Sequence, residues 1–120
     1  MKILVVDDSK AMRSIVLRTF RQAGLEGHTF VEASNGREAL ELIRAQGPEL
    51  VLADWNMPEM NGITLLQTLR AEGNNTPLGF ITSESAAETK DLALKSGALF
   101  LLTKPFTVDT FKQVVAGYLA

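Results

Sequence analysis

The chain has no cysteine and a single histidine, and these two scarcities already narrow its chemistry. Without cysteine there is no disulfide framework and no thiolate metal site, and a lone His28 does not assemble a zinc site. Any metal must be held by oxygen. Charge of one sign is also missing. The 12 basic and 14 acidic residues leave a formal net charge of −2, without the basic surface that nucleic acid binding demands. No run approaches the roughly 20 apolar residues of a membrane span. Met1-Lys2 leads straight into a short apolar run, with no long hydrophobic region before a small-residue cleavage site. These absences point to a cytoplasmic protein with no nucleic acid partner and no membrane insertion. Linkers and low-complexity tracts are lacking too, so residues 1–120 read as one domain, with 46% hydrophobic content sufficient for a core.

What is present is an alternation of short apolar runs with longer segments of helical period, the pattern of β-α units around a parallel sheet. Residues 3–6, 51–53, 78–81 and 99–102 read as strands buried on both faces, with 29–31 a weaker fifth. The first helix carries Met12, Ile15, Val16, Thr19, Phe20 and Ala23 on one face, and the fifth carries Val108, Phe111, Val115 and Tyr118. Both stripes are expected to face the core. Helices over 36–46, 62–72 and 86–96 complete five units. Gly24, Gly47, Gly73 and Gly97 mark helix ends, where a left-handed residue is wanted. Asn35 with Glu38 and Ser85 with Glu88 have capping-box spacing, and Thr107 is placed to cap the fifth helix. Right-handed crossovers then favour a doubly wound α/β sheet.

Polar residues end four of the apolar runs: Asp7-Asp8, Asp54, Thr82 and Lys104-Pro105. In a parallel sheet, residues just past the carboxyl ends of strands share one crevice, however distant in sequence. Three carboxylates and one ammonium would meet there. Like charges about 5 Å apart repel by roughly 3 kcal/mol per pair at an effective dielectric of about 20, so Lys104 alone would not hold them together. A hard divalent cation resolves the conflict, and Mg²⁺ suits one or two carboxylates while it bridges to a phosphate. Asp54 is then placed to accept a phosphoryl group. Taken singly, each feature has a plainer role: Asp7-Asp8 as a helix cap, Thr82 as strand propensity, Lys104-Pro105 as a loop, Gly62 as backbone relief. Their coincidence is what argues for a site. His28 has no such company and receives no function. Trp55, beside Asp54, is a partly buried aromatic placed to report on a metal.

The segments Val5-Val6-Asp7-Asp8-Ser9, Asp54-Trp55-Asn56-Met57-Pro58, Asn61-Gly62, Thr82 and Thr103-Lys104-Pro105-Phe106 resemble those of receiver domains of two-component response regulators, of the stand-alone chemotaxis type. The resemblance covers essentially the whole chain. It implies a flavodoxin-like (βα)5 fold with a five-stranded parallel sheet in the order 2-1-3-4-5. It also implies Asp54 as phosphoacceptor. Asp8 and Asp54 would bind Mg²⁺ directly, with Mn²⁺ as a substitute, the Asn56 carbonyl would be a third protein oxygen, and Asp7 would act through metal-bound water. Lys104 would pair with Asp54 before transfer and with a phosphoryl oxygen afterwards. The Thr82 hydroxyl and the Ser83 backbone N–H would donate to the phosphoryl group and draw their loop inward. Pro105 fits a cis peptide that aims the lysine into the site. Asn56 and Glu84, two residues past Asp54 and Thr82, would govern access of water and hence self-catalysed dephosphorylation. The implied partners are a histidine kinase, an effector protein on the face of the fourth helix, fifth strand and fifth helix, and a phosphatase. The protein is expected to be a monomer and not an enzyme with a separate substrate.

Two departures from the family pattern stand out. Many receivers carry an aromatic three residues before the lysine, where this chain has Leu101, with Phe100 one residue earlier. The switch is therefore expected to run through backbone shifts, through Phe100, or with a smaller population change. Ala87, Lys90, Lys95 and Lys112 do not reproduce the motor-binding surface, so the effector stays open. Three other classes compete for the same residues. An FMN carrier shares the fold but needs a phosphate-cradling loop where Asp7-Asp8 would repel phosphate. A haloacid-dehalogenase-type phosphatase would show Asp-x-Asp after the first strand and a longer chain with a cap. A phosphorylation-independent interaction module would have no use for Asp7, Asp8, Asp54, Thr82 and Lys104 together.

Overall fold

A computed structural model describes residues 1–119. Strands and helices alternate as β1 (Lys2–Val6), α1 (Lys10–Gln22), β2 (Thr29–Ala33), α2 (Gly36–Gln46), β3 (Leu50–Ala53), α3 (Gly62–Ala71), β4 (Leu78–Thr82), α4 (Ala87–Lys95), β5 (Leu101–Thr103) and α5 (Val108–Val115). A 3₁₀ turn over Ala116–Tyr118 follows. The sheet runs β2-β1-β3-β4-β5 with every pair parallel, the expected order.

Side chains alternate across a strand, and that period of two sorts the core into two layers. Ile3, Val5, Leu50, Leu52, Ile81 and Leu102 pack with Val16 and Phe20 of α1 and with Phe111 and Val115 of α5. Leu4, Val6, Val51, Ala53, Leu78 and Phe80 face the opposite way, onto residues of α2 and α3 and onto Ala93 of α4. Burial on both faces is why the strands are apolar at nearly every position.

Four sequence expectations need correction. Ile15 is 36% exposed: the buried stripe of α1 follows Val16, Thr19, Phe20 and Ala23, and Ile15 lies on its flank. Tyr118 is 41% exposed, because it falls in the 3₁₀ turn, whose tighter winding carries it out of the stripe of α5. Its ring instead tilts over Phe100, with centroids 5.4 Å apart. Ser85 does not cap α4. The Glu84 amide is taken by the Thr82 hydroxyl, the chain stays extended through Ala86 (φ −63°, ψ 143°), and the helix starts with no side-chain cap. Fourth, β5 begins at Leu101 rather than at residue 99, since its ladder with β4 opens at the Phe80–Leu101 pair. Asn35 does cap α2 by accepting from Glu38 N at 2.8 Å, although the Glu38 carboxylate turns to the Ser34 hydroxyl. Thr107 caps α5 as expected, and Gly24, Gly47, Gly73 and Gly97 all have positive φ.

Candidate functional site

Three side chains of the crevice sit one residue past a strand end, and each backbone amide is tied to the last carbonyl of a neighbouring strand. Asp7 N donates to Ala33 O at 3.1 Å, Asp54 N to Val6 O at 2.9 Å and Lys104 N to Thr82 O at 2.8 Å. The sheet therefore sets the side-chain origins, and the parallel register brings together residues about 50 and 100 positions apart.

One oxygen from each of Asp7, Asp8 and Asp54 lies within 4.8 Å of the others. Asp7 is 5% exposed, Asp54 is 9% exposed, and Asp8 opens to solvent. Each buried carboxylate has one oxygen fixed by a nearby amide: Asp7 Oδ1 accepts from Ser9 N at 2.9 Å, and Asp54 Oδ1 from Trp55 N at 2.7 Å. Their other oxygens share Lys104 Nζ, at 2.9 Å from Asp7 and 3.3 Å from Asp54. Lys104 is thus nearer Asp7 than its expected partner Asp54. Burial works to lower the Lys104 pKa, but the hydrogen bond to Asp7 and the charges of Asp54 and Asp7 outweigh it. The net direction is upward, and the ammonium stays charged at neutral pH.

Three carboxylates against one ammonium leave two negative charges in a crevice of oxygen donors. That donor set fits a hard divalent cation. Such cations take carboxylate and carbonyl oxygens as ligands.

Thr82 is fully buried at the end of β4, where its Oγ1 accepts from Glu84 N at 3.2 Å. Glu84 Oε1 accepts from Asn56 Nδ2 at 2.7 Å, joining the two loops across the crevice mouth. Ser83 lies beside Lys104 and Pro105 on the wall of a groove of about 480 Å³ that runs to Met12, Ile15 and Arg18 of α1. The Lys104–Pro105 peptide is cis. Phe100 and Leu101, the two switch candidates, are not drawn into the crevice. Phe100 packs on the α1/α5 layer and covers Gly79, leaving no room there for a Cβ, while half-buried Leu101 packs on the α2/α3 layer.

Sequence reasoning passes over Arg13, whose Nη1 donates to Asp7 O at 2.6 Å while its Nε pairs with Glu32 at 3.0 Å. The available signal was a basic residue in the first turn of a helix that follows an acidic pair. The structural reason for Gly62 is also clear. Its amide donates to Trp55 O at 2.8 Å, and a Cβ would run into the Asp54 carbonyl and the Phe80 ring.

Fold and crevice together define a flavodoxin-like α/β protein of the CheY type, with an acidic cluster and a lysine at the carboxyl end of the sheet. The chain belongs to the response regulator receiver domain family, whose profile matches residues 3–116. It is 41% identical over 116 residues to the chemotaxis protein CheY1 of Helicobacter pylori, covering 94% of this chain and 92% of that one. The chemotaxis protein CheY homolog of Campylobacter jejuni is 38% identical, with 94% and 88% covered. Among solved structures, the chemotaxis response regulator CheY4 of Vibrio cholerae superposes with a TM-score of 0.84 at 32% identity over 98% of each chain. The Francisella response regulator 1452 receiver domain gives 0.81 at 36% identity, over 98% of this chain and 95% of that one. This is a receiver domain of two-component signalling. No helix among the described residues is long and apolar enough to cross a membrane.

Proposed function

We propose that the protein accepts a phosphoryl group on Asp54 from a histidine kinase and signals to a partner protein through the face of α4, β5 and α5. The observation that carries this reading is the sharing of one ammonium by Asp7 and Asp54 beside the open carboxylate of Asp8. When bound by Asp8, Asp54 and the Asn56 carbonyl, with Asp7 acting through water, Mg²⁺ or Mn²⁺ supplies the positive charge that neutralises phosphoryl oxygens. An Asp54 oxygen forms the new P–O bond as the P–N bond of the donor phosphohistidine breaks. Little covalent chemistry falls to the protein, so alignment by the Trp55 amide and charge from Lys104 are what the site contributes.

The groove beside Lys104, with Ile15 bare on its α1 wall, gives the kinase a surface from which to reach Asp54. After transfer the Thr82 hydroxyl and the Ser83 N–H turn to the phosphoryl oxygens, and the Glu84 amide gives up its acceptor. The helix downstream is the easiest element to move, since α4 lacks a side-chain cap and buries only Ala93. Phe100 is held over Gly79, so Leu101 and the backbone of β5 carry the shift. Self-catalysed dephosphorylation at the Asn56–Glu84 mouth resets the state. The reading brings with it a cytoplasmic monomer and a phosphatase as a further partner.

Acetyl phosphate with Mg²⁺ should add one acid-labile phosphate to the unmodified chain and none to Asp54→Asn, read by intact-mass spectrometry. Full single phosphorylation of Asp54→Asn would show that the acceptor lies elsewhere.

A further inference from the structure

The loop between β3 and α3, residues 54–61, carries both Asp54 and Asn56. Its start is pinned by Asp54 N to Val6 O, and the amide of Gly62 bridges back to Trp55 O. The limb between bends sharply: Met60 N donates to Pro58 O at 2.7 Å, and Glu59 holds φ 68°, a left-handed value uncommon for a residue with a Cβ. Two ties run from this limb to α2. One is an ion pair between exposed side chains, Arg37 and Glu59, at 4.0 Å, which contributes little. The other is a backbone bond at 3.1 Å from Gly36 N to Met60 O.

Gly36 is the first residue of α2, so its amide has no acceptor within the helix. The Asn35 side chain does not serve it either, being engaged with Glu38 N. Nor is glycine needed there for a left-handed turn, since the residue has no positive φ. It is buried, and a Cβ would collide with the carbonyl oxygen of Met60 and come within 3.0 Å of the Met60 carbonyl carbon and Cβ. The loop therefore approaches α2 as closely as backbone can, and the α2 amide otherwise left over holds it there.

We propose that Gly36 is a positioning residue for the phosphoryl site, fixing the far limb of the β3–α3 loop and through it the placement of the Asn56 carbonyl and of the Asn56–Glu84 contact. This rests on the roles assigned above to Asp54 and Asn56. Gly36→Ala must push Met60 O away, and the displacement passes along residues 57–59 to Asn56. Gly47→Ala offers the matched comparison. It strains the other end of the same helix, at φ 55° with open space around it, without touching the loop.

The test is a Mg²⁺ titration of Trp55 fluorescence in the full chain. Gly36→Ala should weaken the apparent Mg²⁺ affinity by about tenfold, the lower end of what groups behind the ligands contribute at metal sites. Gly47→Ala should leave the affinity unchanged. Equal weakening in both variants, or none in Gly36→Ala, overturns the proposal. If Gly36→Ala does not fold, the Gly36 amide of the unmodified chain decides by NMR. Protection from exchange and a resonance shift on adding Mg²⁺ support the clamp, and an unprotected, unshifted amide refutes it. A chain that takes neither Mg²⁺ nor phosphate refutes the site assignment instead. The clamp is then judged by whether the Asn56 and Met57 amide resonances move in Gly36→Ala and stay put in Gly47→Ala; unmoved resonances overturn it.

Discussion

Lys104 Nζ lies 2.9 Å from Asp7 Oδ2, a contact made across β4 and β3 between the ends of β5 and β1. With Asp54 only slightly farther away, this one cation offsets one of the three carboxylate charges of the crevice and is shared by the two buried ones. Removing it by Lys104→Ala leaves the carboxylates repelling one another, so the metal-free variant should melt at a lower temperature and Mg²⁺ should restore more of the loss than in the unmodified chain. Mg²⁺ should also bind more tightly, because a competing cation is gone. Coupling should fail, with the partner binding the phosphorylated and unphosphorylated variant almost alike. Weaker Mg²⁺ binding in Lys104→Ala would show that the lysine supports the metal site rather than competing with it.

Asp8 is the open member of the acidic cluster, and among the described residues it makes no ion pair. Trp55 adjoins Asp54 and packs its ring on Phe80 at 5.0 Å. Mg²⁺ or Mn²⁺ should therefore change Trp55 fluorescence in the unmodified chain, and Asp8→Ala, which takes away a proposed direct ligand, should remove that response. An unchanged titration in Asp8→Ala would place the metal outside these carboxylates.

The strands and the crevice were legible because both follow from strand ends, while the order of the sheet came from the family resemblance. An apolar run stops where the chain leaves the two-sided core, and Asp7, Asp54, Thr82 and Lys104 mark the stops. What escaped reading depends on which face a side chain turns to, or on backbone approach. Ile15 has the right spacing for the α1 stripe, yet lies on the flank that borders the groove. Ser85 has the spacing of a capping box, but the Thr82 hydroxyl takes the Glu84 amide and shifts the helix start by one residue. Gly36 and Gly62 look like any glycine at a helix start; only the close passage of Met60 and Asp54 shows why a Cβ is excluded. Arg13 acts on the Asp7 carbonyl, an acceptor that residue spacing does not reveal.

Burial separates two residues that spacing alone groups together. Phe111 is fully buried and meets Phe20 edge-on at 5.0 Å, whereas Ile15 is 36% exposed. Phe111→Ala should cost about 3–5 kcal/mol of stability. That is a large part of the roughly 5–15 kcal/mol that holds a domain of this size together. Ile15→Ala should cost less than about 1 kcal/mol. Urea unfolding of the two variants checks this, and equal losses would show that the α1 flank is core after all.

On the function proposed above, the lifetime of the phosphoryl group would turn on the crevice mouth. Hydrolysis would need a water in line with the Asp54 phosphoryl bond, and the side chains proposed to govern its access are Asn56 and Glu84, joined at 2.7 Å. Both are polar, both hold or orient a water, and neither forms an apolar shield. Self-dephosphorylation should therefore be rapid. In Asn56→Arg a longer guanidinium can still meet Glu84 and lie across the path, and Glu84→Leu replaces a water-binding group by an apolar one. Each should slow phosphate loss by about tenfold, equivalent to about 1.4 kcal/mol in the barrier. Mg²⁺ affinity should hold in Asn56→Arg, because that residue's proposed ligand is its backbone carbonyl. The measurement is decay of the acid-labile phosphate after the phosphodonor is removed. A phosphate that survives many hours in the unmodified chain, or decay rates indifferent to both substitutions, would show that this mouth does not control the water.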